Sequence, residues 1–232
     1  VLGTSDERSV IALNRPQDVR VVIDEMLNPE SPETVGFVAS ADPERVAVTG
    51  HSFGGFTTYA ASSGYANELG EVGPEPRLDA IIPLAPAVGG DDPATQLLSD
   101  GRLAAVQAPA LVIVGTNDQT TPIEPNVRRA WELTSSSPHY RLELVDAQHN
   151  TFTDLCAYLD FFPTLPDVSE AVLETIESQS AEGCAPGDMA IDRAQALTNT
   201  FAISFLDSIF KGGEMIEPDA YALPDDINFQ AK

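Results

Sequence analysis

Residues 45–55 read RVAVTGHSFGG and combine two local signals. The run over residues 45–50 is short, mostly apolar and rich in β-branched residues, which is typical of a strand buried on both faces. The letters GHSFG have the form G-x-S-x-G, and the small residues that follow, up to Ser63, favour a helix packed closely against a sheet. A strand, a tight glycine turn and a helix, in that order, are the context in which this motif presents a serine side chain. We therefore expect Ser52 at a strand-to-helix turn of an α/β domain.

The rest of the chain continues the alternation of strands and helices. Further strands are predicted over residues 78–84, 110–114 and 140–145, and helices over residues 16–27, 126–133, 169–178 and 189–210. Strands that alternate with helices favour a mostly parallel sheet with flanking helices. We expect one α/β domain over residues 1–232.

Several segments are predicted to lie outside this regular framework. Asn14 is a plausible cap of the first helix, and residues 29–44 are rich in Pro, Ser and Glu and predict a loop. Residues 150–187 predict an insertion with one helix. The polar tail from Gly212 is expected to be loosely attached.

Composition excludes some classes of function. The chain has 36 Asp and Glu residues against 12 Lys and Arg residues, a formal net charge of -24. Such a surface repels phosphate backbones and anionic headgroups, so nucleic acid is not an expected partner. No apolar run approaches the ~18 residues of a membrane helix, so no transmembrane segment is predicted.

The two cysteines, Cys156 and Cys184, are too few for a four-ligand zinc site. Cys184 lies in a polar loop rather than an apolar run, which favours a disulfide over two free thiols. A bond between them fits an exported protein.

A serine nucleophile needs a base, and the chain has three histidines. His51 is adjacent to Ser52, and neighbours on a tight turn point in different directions, so we expect a structural role for it. His139 comes at the start of the strand predicted over residues 140–145, which is the opposite edge of a parallel sheet from the serine. His149 follows the carboxyl end of that strand, where the ligands of such sheets gather. His149 is therefore the predicted base.

A carboxylate is needed to orient that base. Asp118 follows the strand over residues 110–114, whereas Asp91 and Asp92 follow the strand before it. We favour Asp118, because its strand is expected to lie beside the one that carries His149. The order serine, aspartate, histidine along the chain is the order that accompanies the G-x-S-x-G turn.

Three stretches together resemble a known family. They are RVAVTGHSFGG at residues 45–55, APALVIVGTND at 108–118 and LVDAQH at 144–149. In this order they look like the α/β-hydrolases of the dienelactone hydrolase, cutinase-like and platelet-activating-factor acetylhydrolase group. The similarity runs from about residue 8 to residue 150, plus the last long helix. Some acetylhydrolases carry the acid after the earlier strand, which keeps Asp91 and Asp92 as alternatives.

The resemblance implies hydrolysis of small or lipid-like carboxylic esters, including polyesters, through an acyl-enzyme. Ser52 would be the nucleophile, His149 the base and Asp118 the residue that orients it, with the backbone N–H of Phe53 as one oxyanion donor. This chemistry requires neither a metal nor an organic cofactor. The resemblance to bacterial cutinase-like hydrolases, together with an acidic composition that fits a saline or extracellular habitat, predicts a secreted or periplasmic bacterial protein.

The chain also departs from that family. There, several strands precede the nucleophile strand, and a loop after one of them gives the second oxyanion donor. Here 51 residues precede Ser52, and the one candidate strand, residues 9–13, looks more like a loop that leads into the first helix. An apolar strand left as an edge invites aggregation. We therefore expect this chain to carry the C-terminal strands, completed by an N-terminal segment or a companion chain; a minimal hydrolase with fewer strands is the alternative.

Two other functions remain open on the sequence alone. A serine peptidase of the prolyl-oligopeptidase type shares the turn and the three side chains, and a non-catalytic binding module can share the fold. Loops 63–77 and 85–109 and the insertion are expected to shape the pocket. Four apolar residues of the insertion line either that pocket or a local core: Phe152, Phe161, Phe162 and Leu165.

Overall fold

The structure, a computed structural model, describes residues 5–28, 41–92, 96–215 and 225–232. A five-stranded sheet lies at its centre. In both chain order and spatial order, its strands are β1 (Ala47–His51), β4 (Ala80–Leu84), β5 (Ala110–Gly115), β6 (His139–Leu144) and β7 (Ile227–Ala231). The first four are parallel and β7 is antiparallel to β6. The carboxyl ends of the four parallel strands therefore share one edge of the sheet.

Helices cover both faces of this sheet. They are α1 (Ser5–Leu27), α2 (Phe53–Ser63), α3 (Asp100–Ala104), α4 (Arg128–Leu133), α5 (Leu155–Phe161), α6 (Glu170–Ser180) and α7 (Ile191–Lys211). A separate antiparallel hairpin consists of β2 (Tyr65–Asn67) and β3 (Gly70–Val72).

Alternate residues of the central strand β5 face two different cores, as the period of two in a strand requires. Leu111 and Ile113 pack with Phe201 of α7, whereas Val112 and Val114 belong to a second cluster on the other side. Every residue of β5 is buried. A mostly parallel sheet with helices on both faces confirms the predicted α/β class.

The predicted strands and the long last helix are all found, with bounds that shift by one or two residues. The helix predicted over residues 126–133 is shorter, because a π-helical turn over Ile123–Val127 precedes α4 and contains the non-helical residue Glu124. In the described part of the chain, no helix is long and apolar enough to cross a membrane.

The first helix begins earlier than predicted. Residues 9–13 are helical rather than a loop, Asn14 lies inside α1 and is not its cap, and Pro16 is an internal residue. A proline is common at the first position of a helix, which is why the pattern suggested a start there. The helix extends further because Ala12, one turn before Pro16, is buried in the core with Phe56 and Tyr59 of α2.

The insertion and the tail are also more structured than predicted. Residues 150–187 contain two α-helices, α5 and α6, rather than one. The end of the tail forms β7, which pairs with β6 and closes that edge of the sheet, so this part of the tail is not loosely attached. Ala231 lies opposite Tyr140, and Ile227 lies opposite Leu144. Residues 29–40 and 216–224, which include most of the predicted loop, lie outside the described residues.

Strand β1 lies at the other edge, and the prediction that it is buried on both faces is wrong for the structure as described. Ala47 and Thr49 are exposed, and the rest of β1 is half-buried. Among the described residues, β1 pairs with β4 alone. The edge position explains the exposure, because the part of the chain that the structure describes provides no strand on one side of β1.

His139 is fully buried at the start of β6, at the edge of the sheet opposite to Ser52, as predicted. Its ring lies 4.3 Å from that of Trp131, and within the described residues neither ring nitrogen has a hydrogen-bond partner. Burial first, then the charges of Lys232 and Arg141, lowers the pKa of His139 from 6.5 to about 3. The imidazole is therefore neutral in the folded protein.

We expect His139→Phe to reduce the loss of stability in acid. Between pH 6 and pH 4 the unfolded chain binds a proton at this histidine and the folded chain does not, so the free energy of unfolding falls as the pH falls. This group contributes a slope of about 1.4 kcal/mol per pH unit, which the phenylalanine removes. Urea unfolding of both proteins at four pH values measures the difference, and parallel curves would contradict the assignment.

Candidate active site

Ser52 lies at the turn between β1 and α2, as the motif predicts. Its backbone has φ 58 and ψ -115, a combination that costs a non-glycine residue about 1–3 kcal/mol. The Ser52 N–H donates to the Leu84 carbonyl of β4 at 2.9 Å, and its own carbonyl accepts from the Phe56 N–H at 3.1 Å. These bonds to the neighbouring strand and the first turn of the helix hold the strained conformation and lift the hydroxyl out of the sheet.

Two of the glycines around Ser52 lie where the backbone leaves no room for a side chain. A Cβ on Gly50 would lie 2.5 Å from the carbonyl oxygen of Gly54, and one on Gly55 would lie 2.6 Å from the Cα of Pro86. A Cβ on Gly54 would meet nothing within 4 Å, so Gly54 is not needed to avoid a clash of its own. Gly54 instead contributes the backbone that Gly50 must approach.

His149 lies against this serine. It begins the 3-10 turn His149–Phe152 that follows β6, and its ring is buried. The distance from His149 Nε2 to Ser52 Oγ is 2.8 Å, a normal hydrogen bond across 97 positions of the chain. The parallel sheet brings the two residues together because each follows the carboxyl end of its strand.

Asp118 completes the arrangement from the loop after β5. Its Oδ2 atom lies 2.9 Å from His149 Nδ1, and its side chain is fully buried. Burial by itself raises the pKa of Asp118. The hydrogen bond and charge interaction with His149, together with hydrogen bonds from Thr121, outweigh burial and hold the pKa below its usual value. The carboxylate is therefore ionised at neutral pH and can accept the Nδ1–H of the imidazole.

Thr121 is a member of the site that the sequence reasoning missed. Its N–H donates to Asp118 Oδ1 at 2.6 Å, and its hydroxyl lies 2.8 Å from Asp118 Oδ2 and 3.1 Å from His149 Nδ1. An Asp followed three positions later by a threonine is the pattern of a local side-chain-to-backbone turn, and it could have suggested this contact. Thr121 fixes the carboxylate in the orientation that faces the imidazole.

The rival carboxylates are placed elsewhere. Asp91 and Asp92 are exposed, and Asp91 forms an ion pair with Arg128 at 3.0 Å. Since His149 Nδ1 is bonded to Asp118, the geometry favours Asp118 over both alternatives.

The third histidine, His51, contacts the loop of His149 through its side chain. Its Nε2 atom lies 2.8 Å from the main-chain oxygen of His149, and the two ring centroids are 4.6 Å apart. The ring of His51 thus reaches the main chain of the loop that carries the predicted base, and this contact is in accord with the structural role expected of His51.

The insertion supports the loop of His149 from outside. The Asn150 N–H donates to the Glu182 carbonyl at 2.8 Å, and its side-chain amide donates to the Gln179 carbonyl at 2.7 Å. Cys156 and Cys184 form a disulfide with a Cα separation of 5.6 Å, which confirms the predicted pairing. The bond ties the end of α6 to α5, next to the segment that holds Asn150.

A cleft of about 1000 Å³ opens beside Ser52. It is lined from loop 63–77 by Tyr65 and from loop 85–109 by Leu97, as expected for both loops. Phe53 also lines it, and the Phe53 N–H lies in the first turn of α2, among the amides without an acceptor inside the helix.

The four apolar residues of the insertion are not among the residues that line this cleft. Phe161 and Leu165 are exposed, at 54% and 37%, and Phe162 packs against Tyr158 and Phe161. Phe152 packs against the core beneath α7.

No protein-family model matches the chain, and no curated protein is similar to it in sequence. Among the described residues, no group of three or more His, Cys, Asp or Glu side chains is arranged to hold a metal ion. The interpretation of the site depends on its own geometry.

We expect Gly50→Ala to lower the free energy of unfolding by about 1–3 kcal/mol, because the added methyl group overlaps backbone that cannot move without deforming the turn. Gly54→Ala is the matched control and should leave stability unchanged or raise it by up to about 1 kcal/mol, since alanine favours a helix over glycine. Denaturant midpoints measure both variants. Equal losses in the two would show that the close approach at Gly50 is not the constraint.

Proposed function

We propose that the protein is a serine carboxylic ester hydrolase with an α/β-hydrolase fold and a Ser52–His149–Asp118 triad. The observation that carries the proposal is the continuous hydrogen-bonded path from Ser52 Oγ to His149 Nε2, at 2.8 Å, and from His149 Nδ1 to Asp118 Oδ2, at 2.9 Å. A nucleophile, a base and a group that orients the base, in that geometry, are what acyl transfer requires.

In the first half of the reaction, His149 Nε2 accepts the Ser52 proton while Ser52 Oγ attacks the ester carbonyl carbon. Asp118 keeps the imidazole in the tautomer with hydrogen on Nδ1 and stabilises the imidazolium that forms. The Phe53 N–H at the start of α2 donates to the oxyanion, where the helix N-terminus also favours negative charge. The imidazolium then protonates the alcohol, which leaves.

In the second half, water takes the place of the alcohol. His149 accepts a proton from the water, whose oxygen attacks the acyl carbon, and the acid is released as the proton returns to Ser52. No step uses a metal or an organic cofactor. The substrate class that we propose is a small or lipid-like ester, because the cleft combines apolar walls such as Leu97 and Tyr65 with room for an extended group.

We also propose that the protein is exported. The support is the disulfide between Cys156 and Cys184, since such bonds persist in oxidising compartments. The strongly acidic composition is in accord with that environment.

We expect a fluorophosphonate probe to label Ser52 in the native protein and to leave Ser52→Ala unlabelled. Hydrolysis of p-nitrophenyl acyl esters should fall by about 10⁴-fold or more in that variant. Ser208→Ala on α7 is the matched control and should keep both properties. Peptide mapping of the label and a series of acyl chain lengths give the measurement.

Each alternative function has a distinct result in this experiment. A native protein with no label at Ser52 is a binding module and not a hydrolase. Labelling together with faster cleavage of peptide amides than of esters identifies a peptidase instead.

We further propose that an extended polypeptide segment, from an N-terminal part of the fold or a companion chain, pairs with β1. Val46 is hydrogen-bonded to Asp79 on the β4 side. By alternation, the backbone groups of Ala47 and Thr49 face the other side, where the described residues contribute no strand. A groove of about 790 Å³ runs between β1 and α1, whose Val22 and Met26 are exposed at 60% and 43%. A strand satisfies the backbone groups and covers the apolar groove at the same time.

We expect intact-mass spectrometry to detect this segment on the active protein. Native conditions should give a mass above that of the 24.7 kDa chain, and denaturing conditions should release a second polypeptide or give one longer chain. Full esterase activity in a lone 24.7 kDa species would contradict the proposal.

A further inference from the structure

We propose that His51 is a positioning residue of the active site, which fixes the main chain of His149 by donating a hydrogen bond from Nε2 to the His149 carbonyl oxygen. The inference rests on the proposed function for its effect on catalysis. The restraint that this hydrogen bond places on the loop over residues 149–152 does not depend on the proposed function.

The contact has the geometry of a directed hydrogen bond. His51 Nε2 lies 2.8 Å from the carbonyl oxygen of His149, and the planes of the two rings are inclined by 43° with their centroids 4.6 Å apart. The ring of Phe152, at the other end of the same turn, lies 5.9 Å from that of His51. The His51 ring therefore contacts the turn at both of its ends.

The direction of this bond follows from the acceptor. A main-chain carbonyl oxygen can only accept, so Nε2 of His51 must carry the hydrogen. Burial first, then the charge of His149, lowers the pKa of His51 from 6.5 to about 4, partly opposed by the hydrogen bond to the His149 carbonyl and the charge of Asp118. At neutral pH the ring is uncharged and, with its one hydrogen on Nε2, is a donor in a fixed tautomer.

Two hydrogen bonds thus join His149 to the consecutive residues His51 and Ser52. The side chain of His149 is bonded to Ser52 Oγ, and its main chain is bonded to the side chain of His51. Because His51 and Ser52 are consecutive, any shift of the His149 loop away from β1 must break or stretch both bonds. A displacement of about 1 Å between reacting groups can cost 10²-fold in rate.

His51→Gln and His51→Leu separate the hydrogen bond from the bulk of the ring. The glutamine amide can place an N–H donor close to the position of Nε2, whereas leucine fills the space without a donor. We expect kcat for a p-nitrophenyl ester to fall by about 10- to 100-fold in His51→Leu, with KM within about two-fold of the wild-type value, and to recover by about ten-fold or more in His51→Gln. Denaturant unfolding of each variant identifies losses that come from stability alone.

Hydrogen exchange of the amides over residues 149–152 tests the same bond without reference to activity. Exchange should be faster in His51→Leu than in the wild type and close to the wild-type rate in His51→Gln. Equal exchange in all three proteins, or equal kcat in wild type and His51→Leu, overturns the proposal. Equal losses of kcat in the two variants also overturn it, since ring packing and not the donor would then be responsible.

The two proposals fail in different ways. If the wild type neither reacts with the fluorophosphonate nor hydrolyses esters, the proposed function is wrong, and the exchange rates still decide whether His51 restrains the loop. If the wild type is active and His51→Leu is unchanged in both readouts, the function stands and the role of His51 does not.

Discussion

The strained backbone of Ser52 is the constraint from which the rest of the site follows. A φ of 58 in a serine is stable only when both flanking segments are held, and here β1 pairs with β4 on one side while α2 begins immediately on the other. Gly50 permits this turn because its missing side chain leaves room for the carbonyl of Gly54. The strain is balanced by a packed sheet and helix, so the serine hydroxyl has a fixed position before any substrate binds.

Parallel pairing then determines where the other two side chains can lie. The loops after β5 and β6 leave the sheet at the same edge as the turn after β1, which brings Asp118 and His149 toward Ser52. Loops alone are mobile, and each of these is braced locally: Thr121 holds the carboxylate, and Asn150 attaches the histidine loop to the insertion. The rigid strands determine the approximate positions of Asp118 and His149, and these hydrogen bonds fix the side chains to within a fraction of an ångström.

The sequence was most informative about residues that follow a clearly predicted parallel strand, because the strand pattern and the sheet topology together determine where such residues lie. Strand periodicity with the carboxyl-edge rule was sufficient to select Asp118 and His149 from 36 acidic residues and three histidines. The sequence was less informative where a contact between distant residues determines the local structure. The first half of α1 depends on Ala12 reaching a core that is assembled from distant residues, and the contact of His51 depends on a loop 98 positions away. The intrinsic secondary-structure preference of a residue carries no information about contacts with residues so far away in the chain.

The two edges of the sheet differ, and this difference bears on the turn at Ser52. Strand β7 closes the edge beside β6, so the strands that position Asp118 and His149 have partners on both sides. Strand β1, which ends at the serine turn, has a partner on one side among the described residues. A segment that pairs with β1 only in the folded state stabilises that state by mass action, and with it the strained turn at the end of the strand. Under the proposal that a segment pairs with β1, occupancy of this edge and order at Ser52 are coupled, because the same five residues of β1 form both the edge of the sheet and the support of the turn.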